Sequence, residues 1–270
     1  MSHIDDNKGV IKELLQRPPS GLITDLDGTI SPIAPSHRQA TVSPLCIEYL
    51  ADLRHYLTLV AVVSGRSVTI VKNMVGLDGI VYIGLHGMER WVKDHAVYSR
   101  EVEDYVNLIQ SAIKELAPVL ATEGVYIEDK GAAASVHYRL SPQPETTRNQ
   151  VMGLIRQSPH LQELRIVPGR MVIDILPPVT INKGTAVREL IRDYQLKGGI
   201  YLGDDVTDID AFRAIHSASG KGDFKGWAVG ITSPEMPPEM LPEVDFTLNG
   251  VAEVADFFRQ LSRTARQLSG

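Results

Sequence analysis

The chain has 270 residues, with 27 Lys and Arg against 33 Asp and Glu, for a net charge of −6. The mild acidity excludes a nucleic-acid scaffold, and the apolar run Leu59–Val63 is far too short for a membrane-spanning helix. The 43% hydrophobic content can bury a core without staples, the lone Cys46 permits no intrachain disulfide, and the polar N-terminal segment does not read as a secretory signal, so a reducing, cytoplasmic setting is expected.

Gly21–Leu26 is a short apolar run that ends in acid and glycine. Leu45, Tyr49 and Leu53 recur at four-residue steps and predict a helix over Ser43–Leu53. Leu57–Val63 reads as a buried strand stopped by Ser64-Gly65-Arg66, and Val68–Val75 as a helix. Ile80–Leu85 is another apolar run, stopped by His86-Gly87. Strands alternating with helices predict a parallel sheet covered on both faces.

Near Ser99 the pattern changes. Glu101–Leu116 reads as one helix, with Val102, Tyr105, Val106, Ile109, Ile113 and Leu116 on a single stripe. Val125–Lys130 and Ala132–Leu140 read as paired strands around Gly131, and Thr146–Gln157 as a helix. Leu164–Val167 and Met171–Leu176 predict a hairpin around Pro168-Gly169. After Pro177-Pro178 the first pattern resumes. Gly184–Gln195 is a helix, Gly199–Leu202 a strand, Asp208–Ile215 a helix, Trp227–Ile231 a strand and Val251–Leu261 a helix. The predicted architecture is an α/β core, residues 1–98 and 179–270, with an α+β domain inserted at 99–178.

Ligands bind at the carboxyl ends of strands in open parallel sheets. Such ends here carry Asp25-Leu26-Asp27-Gly28-Thr29, Ser64-Gly65-Arg66, His86-Gly87 and Gly203-Asp204-Asp205 with Asp208; Asn182-Lys183-Gly184 opens a helix. Carboxylates in this number suit a hard divalent cation such as Mg²⁺, while a lysine and helix-start N–H groups suit a phosphate. Metal, phosphate and a free carboxylate together are the equipment of phosphoryl transfer.

In the insert, side chains alternate across each strand. Glu128 and Lys130 share a face, as do Ser135, His137 and Arg139, and Arg170 with Asp174; Val125, Ile127, Ala134, Val136, Tyr138, Met171, Ile173 and Ile175 take the other. The polar face suits a hydroxyl-rich sugar, and a solvent-washed face has the same pattern. Ser64 also fits an N-cap for Val68–Val75, Arg66 and His86 fit structural hydrogen bonding, and His137 fits a packed strand histidine.

Asp25-Leu26-Asp27-Gly28-Thr29-Ile30, Ser64, Lys183 and Gly203-Asp204-xxx-Asp208 resemble, in order, the four motifs of the haloacid dehalogenase-like phosphatases. Ser64-Gly65-Arg66, Gly84-Leu85-His86-Gly87, Glu128-Asp129-Lys130, Val136-His137-Tyr138-Arg139 and Gly203-Asp204-Asp205-Val206-Thr207-Asp208 resemble the trehalose-6-phosphate phosphatases within them. Asp174 stands where a glutamate is more common, and Ile209 where an acidic residue is.

The resemblance implies a Rossmann-like haloacid dehalogenase core with a cap. It implies Asp25 as nucleophile, Asp27 as general acid and base, and Mg²⁺ on Asp25, the Asp27 carbonyl and Asp204, with Asp208 behind them. Ser64, Gly65 and Lys183 would hold phosphate. Arg66, His86, Glu128, Lys130, His137, Arg139 and Asp174 would bind the substrate, a small sugar phosphate, and the activity could be coupled to a separate trehalose-6-phosphate synthase. The rivals are a phosphatase for sucrose 6-phosphate, mannosyl-3-phosphoglycerate or glucosylglycerol phosphate, and a catalytically silent sugar-phosphate sensor.

Overall fold

The computed structural model describes residues 2–3, 9–34, 39–169, 171–220, 222–234 and 236–269. In chain order the first segment carries β1 (Ser2–His3), α1 (Gly9–Leu15), β2 (Ser20–Thr24), α2 (Pro44–Leu53), β3 (Leu59–Val63), α3 (Val68–Val75), β4 (Val81–Gly84), β5 (Glu89–Val92) and β6 (His95–Tyr98). The middle carries α4 (Arg100–Glu103), α5 (Val106–Leu116), β7 (Tyr126–Asp129), β8 (Ala134–His137), α6 (Pro144–Gln157), α7 (Pro159–Gln162), β9 (Arg165–Gly169) and β10 (Val172–Leu176). The last carries α8 (Lys183–Asp193), β11 (Gly198–Gly203), α9 (Ile209–Ser219), β12 (Lys225–Thr232), β13 (Phe246–Asn249) and α10 (Gly250–Ser269). Two compact units result, one from Met1–Val97 with Ile181–Gly270, the other from Tyr98–Thr180.

The first unit holds one sheet in the order β1-β13-β12-β11-β2-β3-β4-β5-β6. Pairing is parallel from β1 to β4 and antiparallel at β4–β5. β3 reads Leu-Val-Ala-Val-Val and is buried throughout, as a strand covered on both faces must be. Leu22, Val60 and Leu202 pack into one apolar layer with Leu50, Leu53, Phe258 and Leu261. Ile23, Ala61 and Tyr201 face a second layer with Val187, Leu190, Phe212 and Ile215. Each fully buried leucine or phenylalanine contributes roughly 1.5–3 kcal/mol. The order reverses between β2 and β11, so the chains leaving these two neighbours depart in opposite directions and open a crevice at their carboxyl ends.

Several sequence expectations need correction. On α2 the buried stripe is Cys46, Leu50 and Leu53, while Leu45 is 51% exposed. Both stripes have a helical period; packing against α10, where Ser262 and Arg266 hold Asp52, selects one. Burial also pushes the Cys46 thiol up to about 11, which leaves it an inert core group. The sequence pattern announces none of β1, α1, β5, β6 and β13. β5 and β6 are joined through Lys93 and Asp94, both at positive φ without a glycine to announce the turn.

The second unit is a four-stranded antiparallel sheet, β7-β8-β10-β9, with helices on its apolar face. Ala134, Val136, Ile173 and Ile175 pack there against Ile109, Leu116, Val151 and Ile155. The expected single helix over Glu101–Leu116 is two, α4 and α5, divided at Asp104-Tyr105 by a tighter turn in which Tyr105 N–H bonds the Val102 carbonyl. Pro168-Gly169 is not the hairpin turn. Pro168 pairs with Ile173 and Gly169 with Val172 inside β9, an edge strand, where the missing N–H of proline is tolerated. Met171, expected on the apolar face, lies outside the strand at φ 58° and is exposed. Arg170 lies outside the described residues. Among the described residues no helix is long and apolar enough to cross a membrane.

Candidate active site

Thr24, the last residue of β2, lies level with Leu202 of β11 and Val62 of β3. Asp25 therefore follows one strand, Ser64 the next, and Asp204 the strand on the other side. The Asp25 N–H bonds the Leu202 carbonyl at 2.8 Å, and Asp25 is buried. Gly28 sits at φ +77°, and a Cβ there would lie 1.8 Å from Asp204 Oδ2. Only glycine allows the Asp25–Thr29 loop to turn left-handed this close to the Asp204 carboxylate. Thr29 Oγ1 approaches Asp204 Oδ1 at 3.4 Å.

Lys183 opens α8 behind Asn182, whose side chain caps the helix reciprocally with Thr185. Its Nζ donates to Asp25 Oδ1 at 2.8 Å and to Asp208 Oδ1 at 2.7 Å, all three groups being buried. Asp208 Oδ1 also accepts the Tyr201 hydroxyl at 2.5 Å, and Oδ2 accepts the Asp204 and Asp205 N–H groups at 3.2 and 3.0 Å. Asp205 is exposed and caps the short turn at Val206–Asp208.

Carboxylate oxygens of Asp25, Asp204 and Asp208 lie within 4.8 Å of one another. Burial pushes Asp25 up to about 7; Lys183 pulls against this, and Asp208 and Asp27 add to it. Burial, then Asp25 and Asp208, pushes Asp204 up to about 9. Burial alone would lower the Lys183 ammonium, but Asp208 and Asp25 hold it above its ordinary value. Three carboxylates thus face one lysine. The excess negative charge and all-oxygen donor set fit a hard divalent cation. Both Asp208 oxygens already accept protein hydrogen bonds, so Asp25 and Asp204 are the carboxylates suited to ligate it.

A stability test follows. Between the unfolded carboxylate value near 4 and these raised values, the folded state binds protons that the unfolded chain has released. The stability of the metal-free protein should therefore fall as pH rises from about 5 to about 9. Urea midpoints in chelator should drop over that range, and Asp204→Asn should flatten the drop and raise the midpoint at pH 8. An equally steep drop in the variant would show that Asp204 is not its source.

β3 runs into Ser64, which is buried. Ser64 N–H bonds the Ile83 carbonyl at 3.0 Å, and Ser64 Oγ accepts the Arg66 N–H at 3.2 Å. Ser67, not Ser64, is the N-cap of α3, and its side chain makes no capping bond. That job falls to Glu89, buried on β5, whose Oε2 accepts the Val68 N–H at 2.6 Å. Glu89 is 21 residues from Val68, so no local pattern announced it. Leu85 and His86 both have positive φ. The His86 imidazole lies so close to Gly65 that a Cβ there would come within 2.6 Å of the ring. Arg66, expected on the substrate, holds Asp27 through two hydrogen bonds, Nε to Oδ2 at 2.6 Å and a second N–H to Oδ1 at 2.7 Å.

The second unit has its own polar cluster, on the sheet face opposite its core. Glu128 Oε2 accepts His137 Nε2 at 2.9 Å, and the His137 ring stacks on Tyr126 with centroids 4.6 Å apart. Lys130 Nζ lies 3.8 Å from both Glu128 and Asp174, and Ser135 Oγ donates to Asp174. β8 ends at His137, and Arg139 lies in the exposed turn beyond it.

The trehalose-phosphatase family profile matches residues 23–231. A trehalose 6-phosphate phosphatase of Zea mays is 28% identical over 270 residues, covering 91% of this chain and 71% of its own. A trehalose-phosphate phosphatase of Mycobacterium tuberculosis is 29% identical over 275 residues, covering 96% of this chain and 65% of its own. The chain thus spans about two thirds of the length of these relatives. A crystal structure of a trehalose-6-phosphate phosphatase related protein has the same fold, with a TM-score of 0.75 at 20% identity over 92% of this chain and 99% of that one.

Proposed function

The chain belongs to the trehalose-phosphatase family, and from that premise we propose that it hydrolyses trehalose 6-phosphate to trehalose and inorganic phosphate. The observation that carries the chemistry is the buried Lys183 bridge between Asp25 and Asp208, with Asp204 beside them. A binding module has no use for a buried carboxylate held ready in this way.

A carboxylate oxygen of Asp25 attacks phosphorus, and the bond between phosphorus and the sugar oxygen breaks, leaving an aspartyl-phosphate. Asp27 gives its proton to the departing sugar oxygen, then takes one from the water that hydrolyses the acyl phosphate. Lys183 has three donors, two of them spent on Asp25 and Asp208, and offers the third to a phosphate oxygen alongside Ser64 and the Gly65 N–H. Asp25, the Asp27 carbonyl and Asp204 would hold Mg²⁺, which when bound offsets the repulsion between carboxylate and phosphate. In this reading residues 99–178 form the cap domain, and Glu128, Lys130, His137, Arg139 and Asp174 recognise the sugar. A separate synthase making trehalose 6-phosphate would be the functional partner.

Phosphate release with Mg²⁺ should be fastest from trehalose 6-phosphate in a panel with sucrose 6-phosphate, mannosyl-3-phosphoglycerate and glucosylglycerol phosphate. Faster turnover of any rival would overturn the substrate assignment. Release from none of them, nor from an aryl phosphate, would overturn the phosphatase reading. Undiminished activity in excess chelator would overturn the metal requirement.

A further inference from the structure

We propose that Tyr201 is a positioning residue for the nucleophile, acting through Asp208 and Lys183; the proposal rests on the phosphatase reading above. Strand alternation sends the Tyr201 ring into the apolar layer beneath α8 and α9, edge-on to Phe212 with centroids 5.7 Å apart. Packing there asks only for an aromatic ring, and phenylalanine would supply one. The hydroxyl is wholly buried and needs a partner. It has Asp208 Oδ1, at 2.5 Å.

That bond completes the anchoring of Asp208. Oδ2 is held by two backbone N–H groups of the loop leaving β11, while Oδ1 is shared between Tyr201 from the core and Lys183 from α8. Lys183 is the only one of these groups on a long flexible stem. Its ammonium stays on Asp25 only as firmly as Asp208 stays still. The Tyr201 hydroxyl ties Asp208 to the middle of β11, the same strand that presents Asp204. One rigid strand thus sets both the carboxylate suited to the cation and, through two hydrogen bonds, the lysine on the nucleophile. Without the hydroxyl, the Asp208 carboxylate can tilt about its remaining bonds, and Lys183 tilts with it.

The test is Tyr201→Phe with Phe212→Leu as the packing control, assayed on trehalose 6-phosphate with Mg²⁺. Tyr201→Phe should keep the wild-type circular dichroism spectrum, lower kcat about tenfold and change KM less than twofold. Phe212→Leu, which disturbs the same layer but leaves the hydroxyl, should keep kcat within twofold. A readout independent of turnover comes from urea midpoints of Tyr201→Phe, Lys183→Met and the double variant. Tyr201 and Lys183 should be non-additive, because the structure joins them through Asp208. Additive midpoints, an unchanged kcat in Tyr201→Phe, an equal loss in Phe212→Leu, or an unfolded Tyr201→Phe would each overturn the proposal. Wild type that hydrolyses no phosphate ester overturns the phosphatase reading instead, and is recognised before any variant is compared.

Discussion

Asp25→Asn should release phosphate at least about a thousandfold more slowly than wild type, a barrier increase of about 4 kcal/mol, while the protein stays folded. The amide is nearly the shape of the carboxylate but cannot form the aspartyl-phosphate, so both steps fail together. Structure should survive because the Asp25 carboxylate is a costly group where it lies. It is buried, its pKa is pushed up to about 7, and Asp208 and Asp27 oppose its charge. Lys183 keeps its bond to Asp208 when Asp25 is neutral. Circular dichroism and the urea midpoint should therefore match wild type or exceed it at pH 8. Turnover within tenfold of wild type would remove Asp25 from the nucleophile's role.

Lys183→Met should abolish turnover and also weaken the fold, which separates it from Asp25→Asn. Lys183, Asp25 and Asp208 are all buried, so solvent screens little of their interaction. Among the described residues Lys183 is the cation bonded to this pair, and removing it leaves buried carboxylates facing one another, a change that costs about 3–5 kcal/mol. The loss should be greatest in chelator at pH 8 and shrink towards pH 5. With the lysine gone, the carboxylates hold their protons to still higher pH in the folded state, so stability falls as pH rises. A pH-independent loss would mean that methionine packs badly rather than that charge is uncompensated. A stable variant would mean that the carboxylates do not depend on Lys183.

The polar residues at strand ends were legible from the sequence because each follows an apolar run within a few positions. The structure brings Asp25, Asp204, Asp208 and Lys183 to one place, although Asp25 and Lys183 lie 158 positions apart. Strand pairing brings the three aspartates together, because β2 lies between β11 and β3 and their carboxyl ends meet; Lys183 arrives from the start of α8, which packs on the layer beneath Tyr201 and Ile23. The partners of these residues were less legible. Arg66 pairs with Asp27, Glu89 caps α3, and Tyr201 holds Asp208, each across elements that share no local pattern. For Tyr201 the available signal was a tyrosine in a strand otherwise filled by glycine, isoleucine and leucine, where a buried hydroxyl has to bond something.

What the sequence determined by itself is local: which segments are apolar enough to be strands, where each stops in acid or glycine, and the motifs that mark the family. Side-chain period and strand-end chemistry are written within five to ten residues. What only the tertiary structure decided is how equally periodic choices resolve. The spacing of α2 allows two stripes, and contact with α10 buries Cys46 and Leu50 rather than Leu45 and Tyr49. Pro168-Gly169 reads as a turn, but an edge position lets both residues lie in β9. The charge of the site was decided the same way. Single carboxylates would stay near their ordinary values at a surface; burial together pushes Asp25 and Asp204 up, and that follows from how strands pair rather than from any one residue.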